Sequence, residues 1–244
     1  MPRLTDLTAV ILAGGLGTRL RPVMTDRPKV LALVAGRPFL GYLLDRLRDA
    51  GFDRAVLCIG YLGEQVEAAF GSSYQDLEIV YSREATPLGT AGALRRALPF
   101  VLPGTVLVMN GDSFCGVDLE SVWKRHAAHA ADTTLVLVEV RDTARYGTVS
   151  SSSDGRVTAF VEKGMARGAG WINAGIYVIT RDRLETIPLG RPVSLEREMM
   201  PSWIKQGVRG YRAAPGTRFL DIGIPEAYAE AERFFSEQAD RGQA

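Results

Sequence analysis

The amino-acid sequence predicts an α/β fold: a mostly parallel, mixed sheet with helices on both faces. Three observations carry it. Short β-branched apolar runs alternate with stretches of helical spacing through the first half of the 244 residues. A glycine-rich turn follows the first run directly, and the second half changes to strands with a hairpin signal.

The elements follow in order. Residues 9–13, 55–59, 79–81, 106–109 and 135–140 are short apolar runs, the last broken only by Glu139, the pattern of parallel strands buried on both faces. Between them, Phe39, Leu40, Leu43, Leu44 and Leu47 recur at helical intervals, and Gly51 closes that helix. Val66, Ala69 and Phe70 mark a second helix, residues 91–98 a third and 119–130 a fourth. Strand–helix–strand alternation of this kind implies right-handed crossovers. In the second half, 146–149, 156–162 and 172–179 read as strands, with a hairpin turn at 150–155. Helices follow at 195–205 and 225–235, the latter with Pro225 and Glu226 in its first turn and an end that frays after Gln238. No linker divides the chain, so residues 1–244 are expected to form a single domain.

Composition narrows the function classes. With 46% hydrophobic and 23% charged residues the chain is a globular protein of ordinary balance. At this length roughly 70–75% of the unfolded surface can be buried without staples. A net charge of +1 provides no clustered basic field, so no nucleic-acid partner is expected. No apolar run approaches the ~20 residues of a membrane span, and the first eight residues show no leader pattern, so the expectation is a cytoplasmic protein without a membrane partner. A homo-oligomer is compatible with the sequence. Cys58 lies in an apolar run and reads as a small buried hydrophobe; it and Cys115 form no C-x-x-C pair. His126 and His129 lack a carboxylate or cysteine at ligand spacing and read as a solvated helix face.

The sharpest local feature is Leu12-Ala13-Gly14-Gly15-Leu16-Gly17-Thr18-Arg19, followed by Pro28-Lys29. After a first strand, this places backbone N–H groups at the carboxyl end of the sheet, where ligands bind. Glycines let those groups approach a polyphosphate, and Arg19 and Lys29 add fixed positive charge. The Walker loop is excluded because Gly17 is followed by Thr18-Arg19 rather than Lys-Ser/Thr. The dinucleotide fingerprint is excluded because Leu20 stands where its third glycine belongs.

Six motifs in order resemble those of the sugar 1-phosphate nucleotidyltransferases. They are the Gly14-to-Lys29 signature, Pro87-Leu88-Gly89-Thr90-Ala91-Gly92, Asn110-Gly111-Asp112, Glu162-Lys163, Asn173-Ala174-Gly175 and Asp221-Ile222-Gly223. The resemblance spans nearly the whole chain and implies a Rossmann-like fold of the nucleotide-diphospho-sugar transferase type. It divides the chain into a nucleotide-binding half (1–145), a sugar-phosphate-binding half (146–224) and a C-terminal helix (225–238). Runs at 145–149, 194–196 and 219–228 resemble guanylyltransferases acting on a heptose 1-phosphate, which implies GTP and D-glycero-α-D-manno-heptose 1-phosphate as substrates. Mannose or glucose 1-phosphate with another nucleotide is the alternative within the class. An NDP-sugar-binding regulator without turnover is the alternative outside it.

The resemblance also implies roles. Leu12, Ala13, Gly14, Gly15, Gly17, Thr18, Arg19, Lys29, Gly89, Thr90, Asn110 and Gly111 bind the nucleotide. Within that set, Arg19 holds the β- and γ-phosphates and Lys29 the α-phosphate. Lys163 holds the phosphate of the sugar, while Tyr146, Gly147, Glu162, Asn173 and Gly175 line its pocket. Asp112 and Asp221 bind Mg²⁺, which suits an ion that takes one or two carboxylates and phosphate oxygens. The catalytic group is Arg19, Lys29, Asp112 and Lys163. No general base is required, because a sugar phosphate with a second pKa near ~6 is already an anion at neutral pH. The demand is to hold two anions together and neutralise the departing pyrophosphate.

Overall fold

A computed structural model describes residues 3–15, 17–20, 24, 26–161 and 167–241. In chain order the first half holds β1 (Thr8–Leu12), β2 (Leu33–Val34), β3 (Arg37–Pro38), α1 (Phe39–Asp49), β4 (Arg54–Ile59), α2 (Gly63–Phe70), β5 (Ser73–Tyr74), β6 (Leu77–Arg83), α3 (Gly89–Ala97) and β7 (Thr105–Asn110). Then come β8 (Ser113–Cys115), α4 (Leu119–Ala128), β9 (Thr133–Val140), β10 (Thr148–Ser151), β11 (Val157–Val161) and β12 (Gly170–Thr180). The chain continues through α5 (Arg181–Glu185), α6 (Met200–Ile204), β13 (Arg209–Arg212), β14 (Phe219–Asp221) and α7 (Pro225–Arg241).

The apolar runs become strands because both faces of the sheet are covered. Side chains alternate across a strand, so Ala9 and Ile11 join one core while Val10 joins the other. Leu57 and Cys58, and Met109 and Val108, divide the same way. One core is closed by α1, α4 and α7, the other by α3, α5 and α6. In α1 the five spaced residues, Phe39 to Leu47, are all fully buried. The helix ends as a Schellman turn: Phe52 N–H reaches Leu47 O, Gly51 N–H reaches Arg48 O, and Gly51 takes φ +86°.

Among the described residues ten strands form one mixed sheet, ordered β11-β10-β12-β7-β1-β4-β6-β5, with β9 beside β12 and β13 beside β9. Strands β7, β1, β4 and β6 are mutually parallel neighbours. The run at 135–140 shares their direction but is not their neighbour, because the antiparallel β12 lies between β9 and β7. Both halves therefore feed a single sheet. The chain moves outward from β1 through β4 to β6, then returns to β7 on the other side of β1. That reversal opens a crevice at the carboxyl ends of β1 and β7, the place where open α/β sheets bind ligands.

Two of the expected helices differ from the sequence reading, and the short elements β2, β3, β5, β8, α5, β13 and β14 were not in it. The expected helix at 195–205 is a π turn (Leu195–Met199) running into α6. Pro201 has no N–H to offer the carbonyl four residues back, so the regular ladder cannot pass through it. Helix α7 continues to Arg241, past the expected fraying at Gln238.

Candidate active site

Gly111 explains how tightly the crevice is built. Its N–H donates to Leu12 O at 2.9 Å, and a Cβ there would stand 2.6 Å from that oxygen. Only glycine lets β7 turn over β1 so closely. The result is a first cavity of about 360 Å³ lined by Leu12, Ala13, Gly14, Gly15, Gly17, Lys29, Val30, Glu84, Gly89, Thr90, Asn110 and Asp112 among others. Gly15 faces open space, and Gly17 takes φ +58°. The positive end of α3 is already engaged, since Ala91 and Gly92 N–H both point to Val193 O. Those two N–H groups are therefore not open to an anion.

A second cavity of about 590 Å³ adjoins it, lined by Arg19, Ser113, Tyr146, Gly147, Phe160, Asn173, Gly175, Glu196, Arg197 and Asp221. Thr90, Asn110 and Asp112 line both. At that shared wall the buried ammonium of Lys29 lies 2.6 Å from Asp112 Oδ2 and 3.9 Å from Asp221 Oδ1. Two carboxylates separated by more than a hundred residues thus converge on one cation. The local cause is the antiparallel pair β8 and β14, in which Asp221 faces Ser113 and Ile222 N–H donates to Asp112 O. Asp221 is oriented further by Gly223 N–H, 2.6 Å from Oδ1.

The side of the wall that faces the second cavity is set by a bulge. β12 shifts register between Asn173 and Tyr177, with Gly175 at φ +74° and its N–H donating to Asn173 Oδ1 at 3.0 Å. Asn173 Nδ2 donates to the Tyr177 hydroxyl at 2.6 Å, and that hydroxyl donates to Glu196 Oε1 at 3.2 Å. Thr90 Oγ1 donates to Glu196 Oε2 at 2.8 Å and accepts from Leu195 N–H. Burial, and after it the Glu196 charge, hold the Tyr177 hydroxyl far from ionising.

The residues expected from sequence fall into three groups. Leu12, Ala13, Gly14, Gly15, Gly17, Lys29, Gly89, Thr90, Asn110 and Asp112 all line the first cavity, with Gly111 packed beneath it. Tyr146, Gly147, Asn173, Gly175 and Asp221 line the second, as does the exposed Arg19, which does not line the first. Thr18 lies in the short 3₁₀ turn beside Arg19. Glu162 and Lys163 lie outside the described residues. The space saved by Gly147 and Gly175 is taken by protein: a Cβ on Gly175 would meet Ser113 Oγ at 2.6 Å, and one on Gly147 the Phe160 ring at 3.1 Å.

His126 corrects the sequence reading. It is buried rather than solvated, stacked on Trp123 and bonded through Nδ1 to Thr134 Oγ1 at 2.9 Å. Leu119, Val122, Trp123 and His126 share one helical face, so the spacing that suggested an exposed pair carries His126 inward. Among the lining residues that the sequence reading did not assign are two carboxylates, Glu84 and Glu196. Glu84 directly follows β6, and a carboxylate at a strand's carboxyl end was the available signal. Its Oε2 accepts from Leu88 N–H at 3.0 Å, and burial raises its pKa. Glu196 lies in the run 194–196 that carries part of the resemblance, but no role was assigned to it.

Comparison with known proteins gives a consistent answer. The nucleotidyl transferase family model matches residues 8–238. D-glycero-α-D-manno-heptose 1-phosphate guanylyltransferase of Aneurinibacillus thermoaerophilus is 38% identical over 93% of this chain and 97% of its own length. Mannose-1-phosphate guanylyltransferase of Mycobacterium tuberculosis is 40% identical over 91% of this chain, which spans 63% of that longer protein. The crystal structure of HddC from Yersinia pseudotuberculosis superposes with a TM-score of 0.82 at 33% identity, covering 94% of this chain and 99% of that one. The same protein complexed with GMP-PN superposes with a TM-score of 0.81.

Proposed function

The chain belongs to the nucleotidyl transferase family, and from that premise we propose that it joins GTP to D-glycero-α-D-manno-heptose 1-phosphate, releasing pyrophosphate. Its reaction class is sugar 1-phosphate nucleotidyl transfer. The observation that carries the reading is the wall shared by the two cavities, Thr90, Asn110 and Asp112, with Lys29 behind it. A triphosphate on one side and a sugar phosphate on the other would meet there.

The acceptor phosphate oxygen attacks the α-phosphorus in line; a new P–O bond forms as the bond to the β-phosphate oxygen breaks. Lys29, with its ammonium already at the wall, steadies the α-phosphate, and the turn through Gly14, Gly15 and Gly17 offers N–H groups to the polyphosphate. Arg19 adds positive charge from the mouth of the second cavity. On the acceptor side, Tyr146 and Asn173 hold the sugar beside the backbone at Gly147 and Gly175, with Glu162 and Lys163 assigned to its hydroxyls and phosphate. The half-buried Glu84 carboxylate favours guanine, whose N1–H and N2–H groups form a donor edge that a carboxylate matches.

The donor set fits a divalent metal. Asp112 and Asp221 supply hard oxygen ligands within reach of one cation, and the described residues hold no cluster of three or more His, Cys, Asp or Glu. The remaining shell would come from phosphate oxygens and water, the preference of Mg²⁺, and that is the ion proposed. When bound it neutralises charge on the phosphates.

The 40% identity with the mycobacterial enzyme supports mannose 1-phosphate as the second reading for the acceptor. The assembled Lys29, Asp112 and Asp221 set speaks against a binder without turnover. A cytoplasmic setting follows from the nucleotide substrate; among the described residues no helix is long and apolar enough to cross a membrane. The test is a panel of nucleoside triphosphates against heptose, mannose and glucose 1-phosphates with Mg²⁺, read as pyrophosphate release. GTP with the heptose is expected to be fastest, and Asp112→Asn to lower that rate by orders of magnitude. Background rates across the whole panel would remove the reading.

A further inference from the structure

Lys29 reaches the two aspartates from one side of the wall, and the second cavity reaches them from the other. The lysine backbone is fixed at the start of a 3₁₀ turn, where Ala32 N–H donates to Lys29 O at 3.0 Å. Its stem lies beside Gly17, at which a Cβ would stand 3.5 Å from Lys29 Cβ. Its head lies 3.1 Å from the place of a Cβ on Gly223, and ends 2.6 Å from Asp112 Oδ2 and 3.9 Å from Asp221 Oδ1. The Lys29 side chain is only 10% exposed and lines the first cavity but not the second. Asp221 lines the second but not the first, and Asp112, 37% exposed, lines both. An ion entering from the second cavity therefore meets the carboxylates on the side opposite the ammonium.

Two carboxylates brought together repel each other, and a cation beside both makes the pairing tolerable. The ammonium brings one charge on a flexible four-carbon stem. A divalent ion brings two, and Mg²⁺ binds carboxylate oxygens at about 2.0–2.1 Å, closer than any hydrogen bond. On Asp112 Oδ2 such an ion would crowd an ammonium already 2.6 Å from that oxygen. On the second oxygens it would draw off the negative charge that holds the ammonium, and set like charges side by side in a largely buried place. We propose that Lys29 is a built-in counter-ion of the Asp112–Asp221 pair, which gives way to a divalent cation and frees its ammonium into the first cavity for phosphate. The use of the freed ammonium rests on the nucleotidyl-transfer reading; the exchange of one cation for another does not. Lys29 thereby keeps the carboxylates together before the ion arrives, and metal uptake is coupled to the release of a phosphate-binding group.

The experiment uses the full chain and Mn²⁺ with no nucleotide or sugar present, so it stands apart from the turnover panel above. Electron paramagnetic resonance follows free Mn²⁺ during titration of wild type, Lys29→Met and the double variant Lys29→Met/Asp221→Asn. Lys29→Met is expected to bind Mn²⁺ about tenfold or more tighter than wild type, and the double variant to lose that gain. A lysine that gives way is told from one that merely repels by acetylating wild type with an amine-selective reagent and reading each lysine by peptide mass spectrometry. Lys124 and Lys205 are exposed and serve as internal standards. Acetylation of Lys29 is expected to rise several-fold as Mn²⁺ is added, with the standards level. This arm needs no variant, so it holds even where Lys29→Met folds poorly. Equal Mn²⁺ affinities in wild type and Lys29→Met, a gain that survives in the double variant, or Lys29 acetylation unmoved by Mn²⁺ each overturn the proposal.

Discussion

At the scale of single residues, His126 shows how packing rewrites ordinary chemistry. Burial pushes its pKa down to about 4 from 6.5, so the native protein holds it neutral. Above pH 6.5 neither state protonates it. As pH falls from 6.5 toward 4 only the unfolded chain takes up the proton, and stability drains away by roughly 3 kcal/mol over that window. Urea denaturation of wild type and His126→Gln across pH 5 to 8 should give curves that diverge below pH 6.5, with wild type the more acid-labile. Parallel curves would show that the ring is not held neutral. His126 also marks where sequence reading stops: its spacing from His129 was visible, but whether a helix position faces inward depends on the sheet beneath.

At the scale of elements, α3 and its preceding turn join fold to site most directly. Gly89 takes φ +72°, and a Cβ there would lie 2.5 Å from Val193 O, the same oxygen that receives Ala91 and Gly92 N–H. Gly89→Ala should therefore cost about 2 kcal/mol or more in denaturant unfolding and weaken GTP binding about tenfold or more. Wild-type values for both would contradict the geometry. The long elements were legible because their patterns repeat: α1 shows its leucine spacing and Gly51 stop over three turns. Strands β8 and β14, three residues each, are too short to display a period. Asp112 and Asp221 were nevertheless found, because each sits in a local glycine turn. Tyr177 and Glu196 were not, since their meaning arises from the bond of Glu196 to Thr90 across 106 residues of sequence and from the bond of Tyr177 to Glu196.

At the scale of the molecule, the C-terminal helix seals the core behind the carboxylates. Phe235 stacks on Tyr42 at 3.9 Å and meets Phe39 and Phe114 edge-on, and Phe114 belongs to the strand that directly follows Asp112. Phe235→Ala should destabilise the protein by about 3 kcal/mol or more in urea unfolding. A loss below about 1 kcal/mol would mean that α7 is an accessory rather than part of the core. Guanidinium groups extend the stack on either side, with Arg46 over Phe114 and Arg218 over Phe234.

The ladder between β8 and β14 has a consequence for how such a molecule can vary. Because it ties residues 113–115 to 219–221 directly, the surface loops of the intervening chain can lengthen or shorten while both aspartates stay in place, so long as β9 and β12 keep their places in the sheet. New acceptor pockets can be tried on one side without dismantling the chemistry beside it. The tolerance ends at the ladder: a slip of one rung turns every side chain of β14 to the opposite face and carries Asp221 away from its partner.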